Sequence, residues 1–331
     1  MKKYAETVKA WMKKIPASVS EKVGLIVIML VIIIFFSITT KGLFFNLTNP
    51  KNIINILQAS VLTGVVAIGA TFVIITGGID LSVSGNCVLC AVTAALLIEK
   101  GVPWPLSMLI SLCVGILIGV INGLAVTKLH MVPFVTTLAM FNVTKGIAMT
   151  ITNSRTITGL PSAMTIFGQG KLFGMLPIST IILLFVFVIG FLLLSKTNYG
   201  RKLYAVGGNT NAAWLAGIKV RSVTLTAYII TGFSAAVAAN IVISRLQSAS
   251  LSIASGLELD VVAACVVGGT SLMGGHGTIT GTLMGTIIIS MINNGLNLMG
   301  VQSSVQLIAK GIIIFIVIAY DSLRRVKAQS N

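Results

Sequence analysis

Acidic residues are scarce in this chain. Seven stand among 331 residues, at Glu6, Glu21, Asp80, Glu99, Glu258, Asp260 and Asp321, beside 23 lysines and arginines and two histidines. Charged residues make up 9 % of the chain, where a soluble domain carries about 25 %. That shortfall excludes a polar shell around a soluble core. The formal net charge of +16 does not mark a nucleic-acid partner. The basic residues sit at the ends of apolar runs, where topology signals belong.

Catalytic signatures are lacking too. No Gly-x-x-x-x-Gly-Lys-Ser/Thr loop occurs, so the chain does not hydrolyse ATP by that route. No His-Glu-x-x-His or Gly-x-Ser-x-Gly motif is present. Of the four cysteines, Cys87 and Cys90 form Cys-Val-Leu-Cys, but no second pair or nearby histidine makes a metal site. They read as small packing residues, and His276 as a loop residue. No catalytic residue, metal ligand or cofactor of this chain is expected.

What is present is apolar: 56 % of residues are hydrophobic and mean hydropathy is +1.02. A helix needs about 20 residues to cross the hydrocarbon core. Candidate spans are 22–40, 53–77, 83–99, 104–126, 132–152, 177–195, 222–245, 257–273, 277–298 and 303–320. Run 83–99 is short, and Gly268 and Gly269 interrupt 257–273, so the count lies between eight and ten. We adopt ten: an all-α, polytopic transmembrane helix bundle. The first run lacks a small-x-small cleavage pattern and reads as a retained span.

Basic residues set the orientation. With the N-terminus inside, inside segments carry 15 of the 23 and outside segments six, with Lys145 and Lys310 inside spans. This bias places both termini in the cytoplasm. The layout is then a basic inside segment over 1–21, a membrane domain over 22–321 with an inside loop at 196–222, and a basic inside tail over 322–331. Tyr4, Val8, Trp11, Met12 and Ile15 recur at helical spacing among lysines. Either an amphipathic helix or an unstructured basic anchor on anionic membrane lipid fits that pattern.

The halves echo each other. Gly115, Gly119, Asn122 and Gly123 resemble Gly281, Gly285, Asn293 and Gly295, and each set is followed by Lys-Gly-Ile, at 145–147 and 310–312. The two segments run in opposite directions in this topology. A 5+5 inverted repeat is therefore expected, with chance likeness among Gly, Ile and Asn as the alternative.

Three polar, glycine-rich signatures interrupt the apolar pattern. In Gly77–Gly85, Gly-Gly-Ile-Asp-Leu-Ser-Val-Ser-Gly, the glycines break a helix, and Asp80 and Ser82 follow in a turn that must be buried in protein or line water. Asp80 either caps the next helix and pairs a buried lysine, or touches a passing ligand or gate. In Ala205–Val220, Gly207-Gly208-Asn209 reads as a turn. Asn209 or Thr210 then caps a short helix holding Asn211, Ala212 and Ala213, which Gly217 ends. That helix suits docking into a groove, or is a surface linker. In Gly256–Gly275, Glu258 and Asp260 stand at a helix start, either capping it or lining a pathway mouth. Asn293, Asn294 and Asn297 stripe an apolar span, either hydrogen-bonding between helices or lining a pathway. Lys145 and Lys310 are costly within spans unless paired, and at least one is expected to pair with a motif acid.

The run Asn198–Val220, with Asn211-Ala-Ala-Trp-Leu-Ala-Gly217, resembles the Glu-Ala-Ala-x-x-x-Gly coupling element of ABC importer permeases, in the form found in ribose-type sugar permeases. Gly77–Gly85, Glu258–Thr278 and Asn293–Val301 are similar to that branch too, which includes ribose, galactose, xylose and autoinducer-2 permeases. The resemblance runs from Asn52 to Asp321. Two departures stand out: Asn211 occupies a position that often holds Glu, and Ser84-Gly85 reverses the usual order.

The resemblance implies the permease subunit of an ATP-driven, binding-protein-dependent importer in a bacterial inner membrane. It implies alternating-access translocation of a monosaccharide or related polyol or furanose. The implied partners are a cytoplasmic ABC ATPase docking on Ala205–Val220, an extracytoplasmic sugar-binding protein, and a second permease copy, identical or related. ATP would be used by the partner ATPase. The alternative is an ion-coupled secondary transporter using Asp80 and Glu258 or Asp260.

Overall fold

The computed structural model describes residues 17–46, 49–302, 304–309, 311, 312, 315, 316 and 319. The expectations for the segments 1–16 and 320–331, for Lys310 and for parts of the tenth candidate span lie outside the described residues.

Eleven helices are described: α1 (Ala17–Thr39), α2 (Lys51–Ile75), α3 (Val83–Glu99), α4 (Trp104–Lys128), α5 (Pro133–Thr152), α6 (Ile178–Lys196), α7 (Asn198–Gly208), α8 (Thr210–Leu215), α9 (Val220–Leu246), α10 (Leu257–Val267) and α11 (Ile279–Leu298). Pro50, Pro103, Pro105, Pro133 and Pro177 all stand at helix starts. There the missing N–H removes no intrahelical bond and the fixed φ favours the first turn. Seven helices, α1, α2, α4, α5, α6, α9 and α11, are long and apolar enough to cross a membrane; α3 is apolar but shorter. The chain is a multi-pass membrane helix bundle.

α2 runs through the centre, with 83 % of its apolar window buried. It packs against α9, α11, α10 and α6. Lipid offers no hydrophobic contrast, so close approach of backbones drives such packing. On α4, Gly115, Gly119 and Gly123 recur every four residues against α9. A Cβ on Gly115 would lie 2.6 Å from the Gly232 carbonyl oxygen, and one on Gly119 2.5 Å from that of Tyr228. On α11, Gly281 and Gly285 press so closely on Gly268 and Ala264 that a Cβ at either would overlap a carbonyl oxygen. The glycines that read as a repeat thus each seat a helix pair. Cys87, Cys90 and Cys265 are buried free thiols among these helices.

The candidate span 257–273 is shorter than its apolar run. α10 starts at Gly256 (φ +75°), and Gly268 and Gly269 (φ +86°) stop it. Eleven residues rise about 16 Å, against a hydrocarbon core of about 30 Å. Its first turn therefore lies below the end of α11, level with Asn293.

The α2–α3, α4–α5, α6–α9 and α10–α11 connections gather at one end of the bundle. The other end carries the α3–α4, α5–α6 and α9–α10 connections. There a short antiparallel ladder joins β1 (Ile157–Thr158) to β4 (Ser248–Ala249), and β2 (Lys171–Leu172) pairs with β3 (Leu176–Pro177).

Candidate functional site: a glycine vertex, a short exposed helix and a buried acid

The three signatures, far apart in sequence, meet at the first end. The Ile75 carbonyl, closing α2, accepts the Gly275 N–H at 2.9 Å. Gly207, near the end of α7, lies so close that a Cβ there would overlap the Ile75 oxygen and stand 2.6 Å from Gly275 N. A Cβ on Gly274 would lie 2.8 Å from both Gly77 N and Ile75 O. Gly77, Gly274 and Gly275 adopt φ of +82°, +85° and +74°, where side chains are disfavoured. The Tyr204 hydroxyl donates to the Gly277 carbonyl at 2.6 Å and ties α7 to the same vertex.

This corrects the reading of Gly207-Gly208-Asn209 as a turn for its first two residues. Both glycines are helical, and the chain bends one residue later, at Asn209 (φ −157°). Gly207 is demanded by contact, not by backbone conformation. Asn209 caps α8, its Oδ1 accepting the Ala212 N–H at 2.9 Å. Gly217 (φ +78°) follows the Ala216 C-cap and turns the chain toward α9. Ala213 is buried beneath α8, while Trp214 and Leu215 are 69 % and 77 % exposed. Asn211 and Ala212 are also exposed. A six-residue helix is therefore fixed at its base and offers an apolar tip outward. A cleft of about 770 Å³ separates it from the vertex, bordered by Gly77, Gly78, Trp214, Tyr228 and the basic residues His130, Lys219 and Arg221.

Asp80 lies buried in the α2–α3 connection. Its Oδ1 accepts the Ser82 N–H at 2.9 Å and the Ser82 hydroxyl at 2.6 Å. Ser82 Oγ in turn accepts from Asn122 Nδ2 at 2.8 Å. The N-cap of α3 is Ser82, so Asp80 holds the capping turn without capping the helix directly. Thr137 on α5 clamps the turn from the other side, accepting from the Leu81 N–H and donating to the Ile79 carbonyl, both at 3.1 Å. Burial pushes the Asp80 carboxyl up to about 6, against the lowering effect of the Ser82 hydrogen bonds. No lysine pairs with Asp80 among the described residues; the one ion pair there is Arg155 with Glu99, two parallel bonds of 2.8 and 2.7 Å at the second end.

Glu258 and Asp260 occupy the first turn of α10. Asp260 Oδ2 accepts from Asn293 Nδ2 at 3.4 Å. The asparagines of α11 do not share one role. Asn294 exchanges two bonds with Asn52 at the start of α2, at 2.9 and 3.0 Å. Asn297 is exposed and accepts from Gln306 Nε2 at 2.8 Å. Lys145 is half-buried and makes no ion pair among the described residues; its Nζ stands 5.5 Å from the centre of the Phe141 ring. Thr137 and Tyr228 escaped the sequence reading. A threonine or tyrosine in an apolar run carries no signal until the chain is folded around it. No group of His, Cys, Asp and Glu that would hold a metal occurs among the described residues.

Residues 52–318 match the family described as branched-chain amino acid transport system / permease component. The chain belongs to this family of transport permeases and is a translocation subunit, not an enzyme. Among its relatives, the ribose import permease protein RbsC of Bacillus subtilis is 42 % identical over 305 residues, covering 92 % of this chain and 93 % of the relative. RbsC of Haemophilus influenzae is 39 % identical over 275 residues, 82 % and 85 % of the two chains. The xylose transport system permease protein XylH of Escherichia coli is 31 % identical over 359 residues, 90 % and 91 %. No solved structure matches the chain.

Proposed function

We propose that this chain is the membrane permease of an ATP-driven importer of monosaccharides, ribose being the first to test. One observation carries the reading: a capped, outward-facing α8 follows directly on α7, whose Gly207 is seated in a glycine vertex against the end of α2 and the α10–α11 loop. The family description names amino-acid transport. The near full-length likeness to ribose and xylose permeases favours sugar instead.

A cytoplasmic ABC ATPase docks on α8, with Asn211, Ala212, Trp214 and Leu215 outward. An extracytoplasmic binding protein delivers sugar to the second end, and a second permease copy completes the pathway. Lys128, Lys196, Arg201, Lys202, Lys219 and Arg221 all lie at the vertex end, which supports a cytoplasmic placement of that end and of both termini. Ten spans follow if 303–320 crosses once more. Exchanging the two five-span halves maps the packed pairs α4–α9 and α4–α3 onto α11–α2 and α11–α10, which supports an inverted repeat. Asp80 and Ser82 serve as a buried hinge beside the pathway. Ion coupling has no support: Asp80 is held by Ser82, while Asp260 faces Asn293 in another part of the bundle.

Reconstitution in proteoliposomes with the genomically adjacent ATPase and binding protein tests the reading. Uptake of labelled D-ribose that needs ATP and all three components is expected. Uptake driven by an ion gradient without an ATPase would overturn it.

A further inference from the structure

A smaller cavity, of about 70 Å³, lies between α3, α5 and the turn entering α10. Ser84, Phe141, Lys145, Ser255 and Glu258 border it. Lys145 stands about 18 Å along α5 from its start, near the middle of a hydrocarbon core of about 30 Å. Polar groups at that depth face protein or a watery path. On α5, of which only 22 % of the apolar window is buried, Asn142, Gly146 and Thr150 form a narrow exposed stripe among exposed apolar side chains such as Leu138, Val143 and Ile147.

Two opposite charges border this cavity without neutralising each other in an ion pair. The Lys145 ammonium sits against the Phe141 ring at 5.5 Å. Glu258 Oε2 is buried and has no hydrogen-bond partner among the described residues. A buried acceptor without a donor is costly unless something supplies one. A carboxylate, an ammonium, an aromatic ring and two hydroxyls together suit a polyhydroxylated ligand: hydroxyls donate to Glu258, ring oxygens accept from Lys145, and sugar C–H groups pack on Phe141.

We propose that this cavity is one half of a monosaccharide subsite at mid-depth in the translocation pathway. The inference rests on the sugar-importer reading. Small-molecule sites start at roughly 300 Å³, so this half encloses only part of a sugar ring, and the α5 face of a second copy supplies the rest.

The test uses the complete complex in proteoliposomes with D-ribose. Glu258→Leu should lower ribose uptake by about 10- to 100-fold, the worth of hydrogen bonds to a charged group, and Lys145→Gln should lower it less. Co-purification with the ATPase identifies a variant that fails to fold. A second measurement does not depend on those variants: Ser255→Cys, in a Cys113→Ser background, should react with a small methanethiosulfonate, and D-ribose should slow the reaction. Uptake by both charge variants within about twofold of the parent, with labelling indifferent to ribose, would overturn the subsite while leaving the importer intact. A parent complex that imports no monosaccharide would overturn the sugar reading itself.

Discussion

Two adjacent glycines give opposite expectations. A Cβ at Gly207 would overlap the Ile75 carbonyl oxygen and stand 2.6 Å from Gly275 N, both backbone atoms of other elements. Contacting heavy atoms prefer about 3.5–4.0 Å, so Gly207→Ala must move α7 away from α2 or open the Ile75–Gly275 bond. Overpacking of that kind costs about 1–3 kcal/mol. At Gly208 nothing lies within 4 Å of the same added carbon. Its backbone is helical, so Gly208→Ala removes a helix penalty of up to about 1 kcal/mol. Both variants are to be purified with the ATPase and binding protein, then measured for thermal unfolding and for sugar imported per ATP hydrolysed. Gly207→Ala is expected to unfold earlier and to import less sugar per ATP, because the joint between α8 and the core is wedged open. Gly208→Ala is expected to match or exceed the parent in stability and to keep its coupling. Equal behaviour of the two, or damage confined to Gly208→Ala, would refute the vertex as the reason for these glycines.

Burial raises the Asp80 carboxyl from 3.8 to about 6. Folding therefore favours its protonated form; the penalty is absent below about pH 4 and full above about pH 6, and amounts to about 3 kcal/mol at most. Asp80→Asn should remove this part of the pH dependence and raise stability at pH 7.5 relative to pH 5, read by thermal unfolding in detergent; an unchanged pH slope would refute it. Trp214→Ala should leave permease stability within about 0.5 kcal/mol, because the ring is exposed, yet cost docking by about 2 kcal/mol or more, as an interface anchor does. Titration of the ATPase onto immobilised permease checks this, and undiminished affinity would remove Trp214 from the interface. Gly119→Leu should lower the yield of folded protein far more than Gly146→Leu on α5, since a Cβ at Gly119 meets the Tyr228 carbonyl and one at Gly146 meets nothing within 4 Å.

The bundle was legible because a bilayer imposes its own period on sequence. Apolar runs of sufficient length located most helices to within a few residues, and the basic residues between them set the orientation. The short helix α8 was legible for a local reason: Asn209, Ala212 and Gly217 form a capped and terminated helix whose bonds lie within a few residues of one another. The α10 boundary was less so. Its apolar run continues past Gly268 and Gly269, which the sequence marks as an interruption, but the close contact with Gly281 that requires a glycine at 268 appears only in the fold.

The roles of the polar residues depended on partners that no local pattern reveals. Asn293, Asn294 and Asn297 look alike on one span, yet one meets an acid on α10, one pairs with Asn52 and one reaches Gln306. Gly207-Gly208 followed by Asn has the composition of a turn, and a turn does follow, one residue late. What composition does not carry is that Ile75, 132 positions earlier in the chain, already fills the space a side chain at Gly207 would need. The same contact gives the vertex its consequence. Gly207 touches Ile75 in the first half of the bundle and Gly275 in the second, with no side chain between to absorb a displacement. Movement of α7 and α8 is therefore resisted by backbone on both halves at once, which a flexible surface linker would not provide.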